Sequence, residues 1–161
     1  MKGEITIYTD GAASGNPGPG GYGVVLLAGP YRKELSEGFR KTTNNRMELL
    51  AVIIGLAALK REGSDVTIYS DSRYVVDAVE KGWVFTWEQS GFKNKKNPDL
   101  WQRFLVFYRK HRVKFEWIPG HSSIPENERC DRLAVAASRS YPLLVDTYYE
   151  EMETYNSLPR P

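Results

Sequence analysis

One helix of this chain must be buried on every side, which limits the folds that the chain can adopt. The segment LLAVIIGLAAL, at residues 49–59, is apolar on all faces of a helix. A helix with no polar face is typical of a domain interior. Glu48 stands directly before this segment, where loss of hydration is unfavourable for a carboxylate unless a positive group meets it. The segment therefore predicts a packed core with an acidic group at its edge.

Three other carboxylates adjoin regular, partly apolar segments. Asp10 follows the alternating strand ITIYT and precedes a glycine-rich segment, so its side chain is expected at the end of that strand. Asp71 closes the strand VTIYS, and Asp131 lies within the helical segment ENERCDRLAVAASR. Carboxylate oxygens are the hard ligands that Mg²⁺ prefers. Together with Glu48, these residues predict a metal site.

Asp10 and Glu48 also have ordinary structural explanations. Asp10 and Gly11 form a dipeptide that is common in turns. Glu48 falls near the start of its helix, where an acidic side chain suits the helix dipole, and Asn44 or Asn45 can cap that helix.

Asp71 and Asp131 have such explanations as well. Asp71 is suited to cap the helix that begins near Arg73. Asp131 has Arg129 and Arg132 close in sequence, which permits an ordinary surface ion pair. The individual residues therefore leave both interpretations open.

The order of the periodic segments predicts an α/β fold of mixed α+β type. Three successive strands are followed by helices that alternate with two further strands, which favours a mixed five-stranded sheet covered on both faces. The predicted strands are ITIYT, YGVVLLAG, KELSEGFRKT, VTIYS and VKFEWIP. Functional groups in such sheets gather at strand ends.

Composition limits the cellular compartment and the kinds of partner expected for this chain. The chain has 161 residues and a formal net charge of +2, so any affinity for nucleic acid must come from local patches. No apolar run approaches the roughly 20 residues of a membrane span, and no apolar signal segment precedes the first strand. The single cysteine, Cys130, is expected to be a small buried residue in a reducing compartment. These features predict a cytoplasmic protein without membrane contact.

Two segments stand apart from the body. Residues 82–97, GWVFTWEQSGFKNKKN, interleave aromatic and basic side chains, a pattern that suits nucleic acid; we call them the handle. For Trp87, Phe92 and the nearby Trp101, core packing is the alternative explanation. Residues 1–140 are expected to form one domain and residues 141–161 a tail that is partly packed or disordered.

Five motifs in order resemble the type 1 ribonuclease H family, in its bacterial branch. They are YTDGAASGNPGPGGYG, TTNNRMELLAVIIGL, YSDSRYVV, KNPDLWQR and WIPGHSSIPENERCDRLA. The resemblance implies the ribonuclease H-like fold. It also implies catalytic roles for Asp10, Glu48, Asp71, His121 and Asp131, with the four carboxylates as metal ligands. The substrate-binding residues that it implies are Asn16, Lys41, Thr43, Asn44, Asn45, Ser72, Trp83, Asn97 and Trp101.

The function that this resemblance implies is cleavage of the RNA strand of an RNA/DNA hybrid duplex, as in primer removal and R-loop resolution. Two Mg²⁺ ions are the expected cofactors, with Mn²⁺ as a substitute, and a monomer is the expected state. Glu88 and its neighbours make the handle less basic than in strongly basic bacterial relatives, which predicts weaker and more salt-sensitive binding. The alternatives are a catalytically silent hybrid-binding module, a nuclease with another substrate, and a retroviral-type domain attached to a polymerase.

Overall fold

The structure, a computed structural model, describes residues 4–159. Five strands and six helices follow one another along these residues. The strands are β1 Glu4–Ala13, β2 Gly18–Ala28, β3 Tyr31–Thr42, β4 Asp65–Ser70 and β5 Arg112–Trp117. The helices are α1 Asn44–Ala57, α2 Arg73–Glu80, α3 Trp83–Gln89, α4 Pro98–Tyr108, α5 Pro125–Ser138 and α6 Thr147–Ser157. No helix within this described part is long and apolar enough to cross a membrane.

The strands form one mixed sheet in the order β3-β2-β1-β4-β5. β1, β2 and β3 are antiparallel neighbours, whereas β4 runs parallel to both β1 and β5. The predicted five-stranded mixed sheet is therefore confirmed. Sequential hairpins give the antiparallel half, and the helical crossovers give the parallel half.

Helices cover both faces of the sheet, as predicted. A side chain added at Gly23 of β2 would meet Cys130 and Leu133 of α5, whereas the adjacent Val24 lies close to Gly55 of α1. Because neighbouring residues of a strand point to opposite faces, α1 and α5 lie on opposite sides of the sheet. Most of α1 is buried, as the all-apolar segment requires.

Glycines allow α5 to lie directly against β2 and β3. A Cβ atom built at Gly23 would lie 2.2 Å from the carbonyl oxygen of Cys130, and one at Gly38 would lie 1.9 Å from that of Ala137. Neither contact leaves room for a methyl group. The backbone of α5, which carries Asp131, is therefore set by contact with the sheet backbone.

We expect Gly23→Ala to lower the free energy of unfolding by about 1–3 kcal/mol, because the added methyl group forces α5 away from the sheet. Thermal unfolding followed by circular dichroism measures this loss. Ser36→Ala is the control, since Ser36 is the exposed residue paired with Gly23 on β3. Equal stability of the two variants would contradict the close contact.

Some local expectations were wrong. The side chain that caps α1 is neither Asn44 nor Asn45 but Thr43, whose Oγ1 accepts a hydrogen bond from the Arg46 amide at 3.2 Å. α1 begins at Asn44, so Glu48 lies beyond its first turn, where the helix dipole gives little stabilisation. Asp10 does not end β1 or form a turn, because β1 pairs with β2 as far as Ala13.

The tail is docked on the body from Leu144 to Glu153. Asp146 is buried and caps α6 through a hydrogen bond from the Tyr149 amide. Its carboxylate also accepts hydrogen bonds from Thr42 at 2.7 Å and from Arg46 at 2.7 and 2.9 Å. α6 itself has no fully buried residue, so charged contacts and the backbone bridge between Leu144 and Phe39, rather than core packing, hold this segment.

Candidate active site

The cleft that holds the carboxylates opens where β4 ends. β4 pairs with β1 only as far as Tyr8, so the next residues of β1 have no partner strand on that side. Asp10 lies in this unpaired stretch, and Asp71 directly follows β4. The shorter strand thus places both carboxylates at the same opening, without either being in a turn of β1.

Glu48 reaches this opening from α1. Its Oε1 accepts a hydrogen bond from the Gly11 amide at 2.6 Å, and the same amide lies 2.9 Å from Asp10 Oδ1. A Cβ atom at Gly11 would lie 2.3 Å from the Glu48 amide nitrogen, so the absence of a side chain there lets α1 approach β1. One oxygen from each of Asp10, Glu48 and Asp71 lies within 4.8 Å of the others.

The crowded carboxylates resist ionisation in the protein alone. Burial raises the pKa of Asp10 to about 7, and the charge of Asp71 adds to this effect. Burial, followed by the charges of Asp10 and Asp71, raises the pKa of Glu48 well above its ordinary value. A divalent cation at this position removes the repulsion, because it stabilises the ionised carboxylates.

Asp131 and His121 line the same cleft, which has a volume of about 250 Å³. Asp131 adds to the negative field at Asp10, although it is not within the compact group of three carboxylates. Arg129 pairs with Glu34 and not with Asp131, so an ion pair with Arg129 does not explain the presence of Asp131. His121 is exposed and has a φ of 55°.

Asn127 also lines the cleft and was not among the residues predicted from the sequence. It is buried, and its Oδ1 atom makes no hydrogen bond to any described residue. Its place in α5, one helical turn before Asp131, is the sequence signal that could have identified it.

The donor set fits a hard divalent cation. The cleft offers carboxylate oxygens from two faces of the sheet and the free amide oxygen of Asn127, with no cysteine sulfur among its lining residues. All-oxygen sites are typical of Mg²⁺ and Mn²⁺ rather than of zinc. Asp10, Glu48 and Asp71 are the residues best placed to hold such an ion.

The predicted asparagines lie around the mouth of this cleft. Asn16 is exposed, and its Oδ1 accepts a hydrogen bond from the Asn44 amide at 2.9 Å, which joins the β1–β2 loop to the start of α1. Asn44 lines the cleft itself, and Asn45 beside it is exposed. Their contact with a substrate remains a prediction.

Lys41, Thr43 and Asn97 have partners within the protein. Lys41 forms an ion pair with Glu153 of α6 at 2.6 Å, and Thr43 caps α1. The side chain of Asn97 accepts a hydrogen bond from Arg46 at 3.2 Å and donates one to the Tyr74 hydroxyl at 2.9 Å. Substrate binding by Lys41 would have to compete with Glu153.

Ser72 and Trp101 have structural roles in the described fold. Ser72 is buried and caps α2 through its hydroxyl, so Asp71 is not the cap. Trp101 has no exposed surface, and its indole nitrogen donates to the Tyr74 hydroxyl. Direct substrate contact by Trp101 is therefore wrong for this structure, and core packing describes it.

The handle carries both exposed and buried aromatic residues. Trp83 is exposed at the start of α3, a helix that the sequence pattern did not predict, whereas Phe92 is buried. Trp87 packs edge-on against Trp101 with ring centroids 5.8 Å apart. The carboxylate of Glu88 pairs with Arg109, so its charge is partly balanced within the protein.

Comparison with known proteins gives consistent relatives. A sequence model of the RNase H family matches residues 2–139. Ribonuclease H of Desulforamulus reducens is 61% identical over 148 residues, which covers 89% of this chain and 92% of that protein. LC9-RNase H1, described as a type 1 RNase H with the type 2 active-site motif, matches with a TM-score of 0.78 at 32% identity, over 99% of this chain and 87% of that one. LC11-RNase H1 in complex with RNA/DNA hybrid matches at 0.65 and 28% identity, over 84% and 97% respectively.

This sheet topology, with a carboxylate cleft where β4 ends, defines the ribonuclease H-like class of metal-dependent nucleases. The more specific assignment follows from the identity of its relatives over most of their length. The chain belongs to the ribonuclease H family and is an endoribonuclease.

Proposed function

We propose that this endoribonuclease hydrolyses the RNA strand of RNA/DNA hybrids by two-metal-ion catalysis and leaves 5′-phosphate and 3′-hydroxyl ends. The observation that carries the proposal is the convergence of three carboxylates within 4.8 Å on a ribonuclease H fold. A relative of this fold that is bound to an RNA/DNA hybrid supports the same substrate class.

The four carboxylates are the proposed ligands of the metal ions. When bound, the pair of divalent cations activates a water molecule and stabilises the leaving oxygen. In this proposal Asp10, Glu48, Asp71 and Asp131 would hold the ions, Asp10 acting together with Glu48 and Asp71 on one side and with Asp131 on the other. The raised pKa values of Asp10 and Glu48 support this arrangement, because they indicate a site that needs positive charge to become fully ionised.

Selection of RNA is assigned to the residues at the mouth of the cleft. Glu48 and Asn44 line the cleft, and Asn16 is hydrogen-bonded to Asn44; in this proposal the sugar of the cut strand passes beside them. Carboxylate and amide groups can hydrogen-bond the 2′-hydroxyl, which distinguishes RNA from DNA. Trp83 and the exposed lysines of the handle contact the DNA strand in this proposal.

The proposed setting is the cytoplasm, with the enzyme acting as a monomer on replication primers and R-loops. The single cysteine, Cys130, supports this setting, because one cysteine cannot form a disulfide within the chain. Mg²⁺ is the proposed metal, with Mn²⁺ as a substitute.

The direct test is cleavage of an RNA/DNA hybrid labelled on the RNA strand. We expect cutting in Mg²⁺ or Mn²⁺ and none in chelator, with single-stranded RNA, duplex RNA and duplex DNA left intact. Analysis of the product ends tests the proposed chemistry. Tight hybrid binding without cutting would instead identify a catalytically silent binding module.

His121→Ala should lower the turnover number by roughly 10–100-fold and leave KM for the hybrid nearly unchanged. An exposed histidine at the cleft is suited to carry protons during the reaction, but the metal site itself remains intact. Steady-state kinetics measure the effect.

His111→Asn is the matched control for this variant. His111 is the other histidine, and its Nδ1 accepts a hydrogen bond from Ser64 at the opposite end of β4. We expect this variant to retain normal turnover. If His121→Ala also retained it, the proton-transfer role would be wrong.

A further inference from the structure

Trp117 lies at the end of β5, beside the carboxylate cleft, and contacts the segment that follows β4. It pairs with Ser70 at the last register position between the two strands. Its indole Nε1 donates a hydrogen bond to the backbone carbonyl oxygen of Asp71 at 3.1 Å. The guanidinium carbon of Arg73 lies 3.8 Å from the centroid of its ring system. One side chain thus contacts a residue of the metal site through its edge and a cation through its face.

Asp71 lies on a short connection, so its backbone position sets where its carboxylate lies. Only Asp71 and Ser72 connect β4 to α2, so the side chain projects from a very short link. Gly120 lies against the carboxylate, and a Cβ atom there would be 3.0 Å from Asp71 Oδ2. Two side chains hold the peptide group between Asp71 and Ser72: the Trp117 indole donates to its carbonyl oxygen, and the Ser70 hydroxyl accepts from its N–H at 3.0 Å. Loss of the indole bond is expected to free one side of this peptide group and so to alter the direction of the Asp71 carboxylate.

Arg73 follows Asp71 by two residues and keeps hydrogen-bonding capacity there. Its side chain is 62% exposed, and its nearest carboxylate oxygen, in Asp77, is 3.9 Å away, which is too long for a hydrogen bond. Arg40 and Arg129, by comparison, each donate two hydrogen bonds to a glutamate. A guanidinium group stacked on an aromatic face is held in place while its N–H donors at the edge stay available.

The substrate of the proposed reaction supplies a matching anion. When the phosphate that is cut lies at the metal site formed in part by Asp71, the neighbouring phosphates of that strand lie close to the cleft. Guanidinium groups bind phosphate through paired, charge-assisted hydrogen bonds. Arg73 follows Asp71 by two residues and is fixed on the same tryptophan, so it is positioned for such a contact.

We propose that Trp117 is a positioning residue with two separable roles. Its indole N–H directs Asp71 into the metal site, and its ring holds Arg73 in position to bind the backbone phosphate adjacent to the one that is cut. The inference rests on the proposed function, because it takes the metal site and the nucleic acid substrate from there.

Three variants separate the two roles. Trp117→Phe keeps an aromatic face for Arg73 and removes the indole N–H. Arg73→Gln removes the cation and leaves the indole bond in place. Trp117→Leu removes both. Mg²⁺ affinity is measured without substrate, by NMR titration of the Gly11 amide, which donates to Glu48. KM for the hybrid is measured at several salt concentrations.

We expect Trp117→Phe to weaken Mg²⁺ binding by about tenfold, as for other residues that orient a metal ligand, with an unchanged KM at saturating Mg²⁺. Arg73→Gln should bind Mg²⁺ normally, raise KM by about tenfold and reduce the salt slope by about one phosphate contact. Trp117→Leu should show both defects. In the double variant that combines Trp117→Leu with Arg73→Gln, KM should be no higher than in the single variants, because both changes remove the same contact.

Two control variants exclude general effects. Trp87→Phe changes a tryptophan of the handle and should not alter Mg²⁺ binding. Arg61→Gln removes an exposed cation from the connection before β4, at the opposite end of that strand, and should not alter KM. Thermal unfolding of every variant identifies any that is simply unstable.

The outcomes assign each role independently. Normal Mg²⁺ binding by Trp117→Phe would overturn the first role. A normal KM and salt slope in Arg73→Gln would overturn the second role, the placing of Arg73 for phosphate binding. If that variant changed Mg²⁺ binding and nothing else, the second role would also be wrong, because Arg73 would then only balance the charges of the carboxylates. If the wild-type protein cut no hybrid but Trp117→Phe weakened Mg²⁺ binding, the proposed function would fail while the positioning of Asp71 would stand.

Discussion

Asp10→Asn is expected to lose at least about 10³-fold in the rate of hybrid cleavage, which corresponds to about 4 kcal/mol of transition-state stabilisation. The carboxylate of Asp10 has an oxygen within 4.8 Å of oxygens of Glu48 and Asp71, and it also lies in the field of Asp131. The amide replaces a charged metal ligand by a neutral one of nearly the same shape. Single-turnover cleavage with excess enzyme measures the chemical step, and hybrid affinity measured in Ca²⁺ shows whether binding is retained.

The same substitution should stabilise the metal-free protein. Burial raises the pKa of Asp10 from 3.8 to about 7, so the folded state holds the proton more tightly than the unfolded state does. The resulting stabilisation is fully present below pH 3.8 and is lost as the pH rises towards about 7. We therefore expect wild-type stability to fall across this range in chelator, and Asp10→Asn to show a smaller fall.

At pH 8 in chelator, Asp10→Asn should be more stable by about 1 kcal/mol or more, a rise in Tm of roughly 2–4 °C. Added Mg²⁺ should stabilise the wild type and have much less effect on the variant. Glu151→Gln, at an exposed position of α6 outside the cleft, is the control for loss of one carboxylate. Near-normal cleavage by Asp10→Asn would contradict the role of the cluster, and an unchanged pH profile would contradict the raised pKa.

Arg46→Met should lower the free energy of unfolding by about 3–5 kcal/mol, because it leaves the carboxylates of Asp99 and Asp146 without their shared cation. Arg46 is only 3% exposed. Its guanidinium donates two hydrogen bonds to each of these carboxylates, at 2.7–2.9 Å. Burial acts to lower the pKa of Arg46, but these bonds outweigh it and raise the pKa above its ordinary value.

Urea unfolding at pH 7 measures this loss, and limited proteolysis tests whether the α6 segment is released with it. Arg109→Gln is the control. Like Arg46, Arg109 binds a carboxylate through two nitrogens, but its single partner is Glu88 and the pair is exposed. Exposed pairs contribute little to stability. If Arg46→Met were no less stable than Arg109→Gln, the buried network would not be what holds the tail.

The sequence predicted the sheet and the position of Asp71 because both depend on local patterns. Alternating apolar residues identify each strand, and a strand that ends at Ser70 leaves Asp71 at its edge. The position of Asp10 depends on pairing instead. β1 continues through Ala13 because β2 pairs with it there, and glycines that suggested a turn are part of the ladder.

Other features depend on contacts between residues distant in sequence. The hydrogen bonds of Arg46 to Asp146 join positions 100 residues apart, so the local pattern of the tail predicted partial packing or disorder but not the buried pair that docks it. The core position of Trp101 depends on a similar contact with Tyr74. The cap of α1 was wrong for a more local reason, because three adjacent residues, Thr43, Asn44 and Asn45, are all suitable and the backbone selects the first.

The glycine contacts beneath α5 give the two faces of the sheet different tolerance to sequence change. The α1 face is filled by side chains such as Ile7, Val24 and Ile53, and volume-conserving exchanges can repack it. Under α5, backbone meets backbone at Gly23 and Gly38, so no compensating substitution exists. Mutant libraries that aim to stabilise the enzyme should therefore vary the α1 face and keep the α5 face unchanged. Substitutions under α5 are expected to displace Asp131 before they unfold the protein.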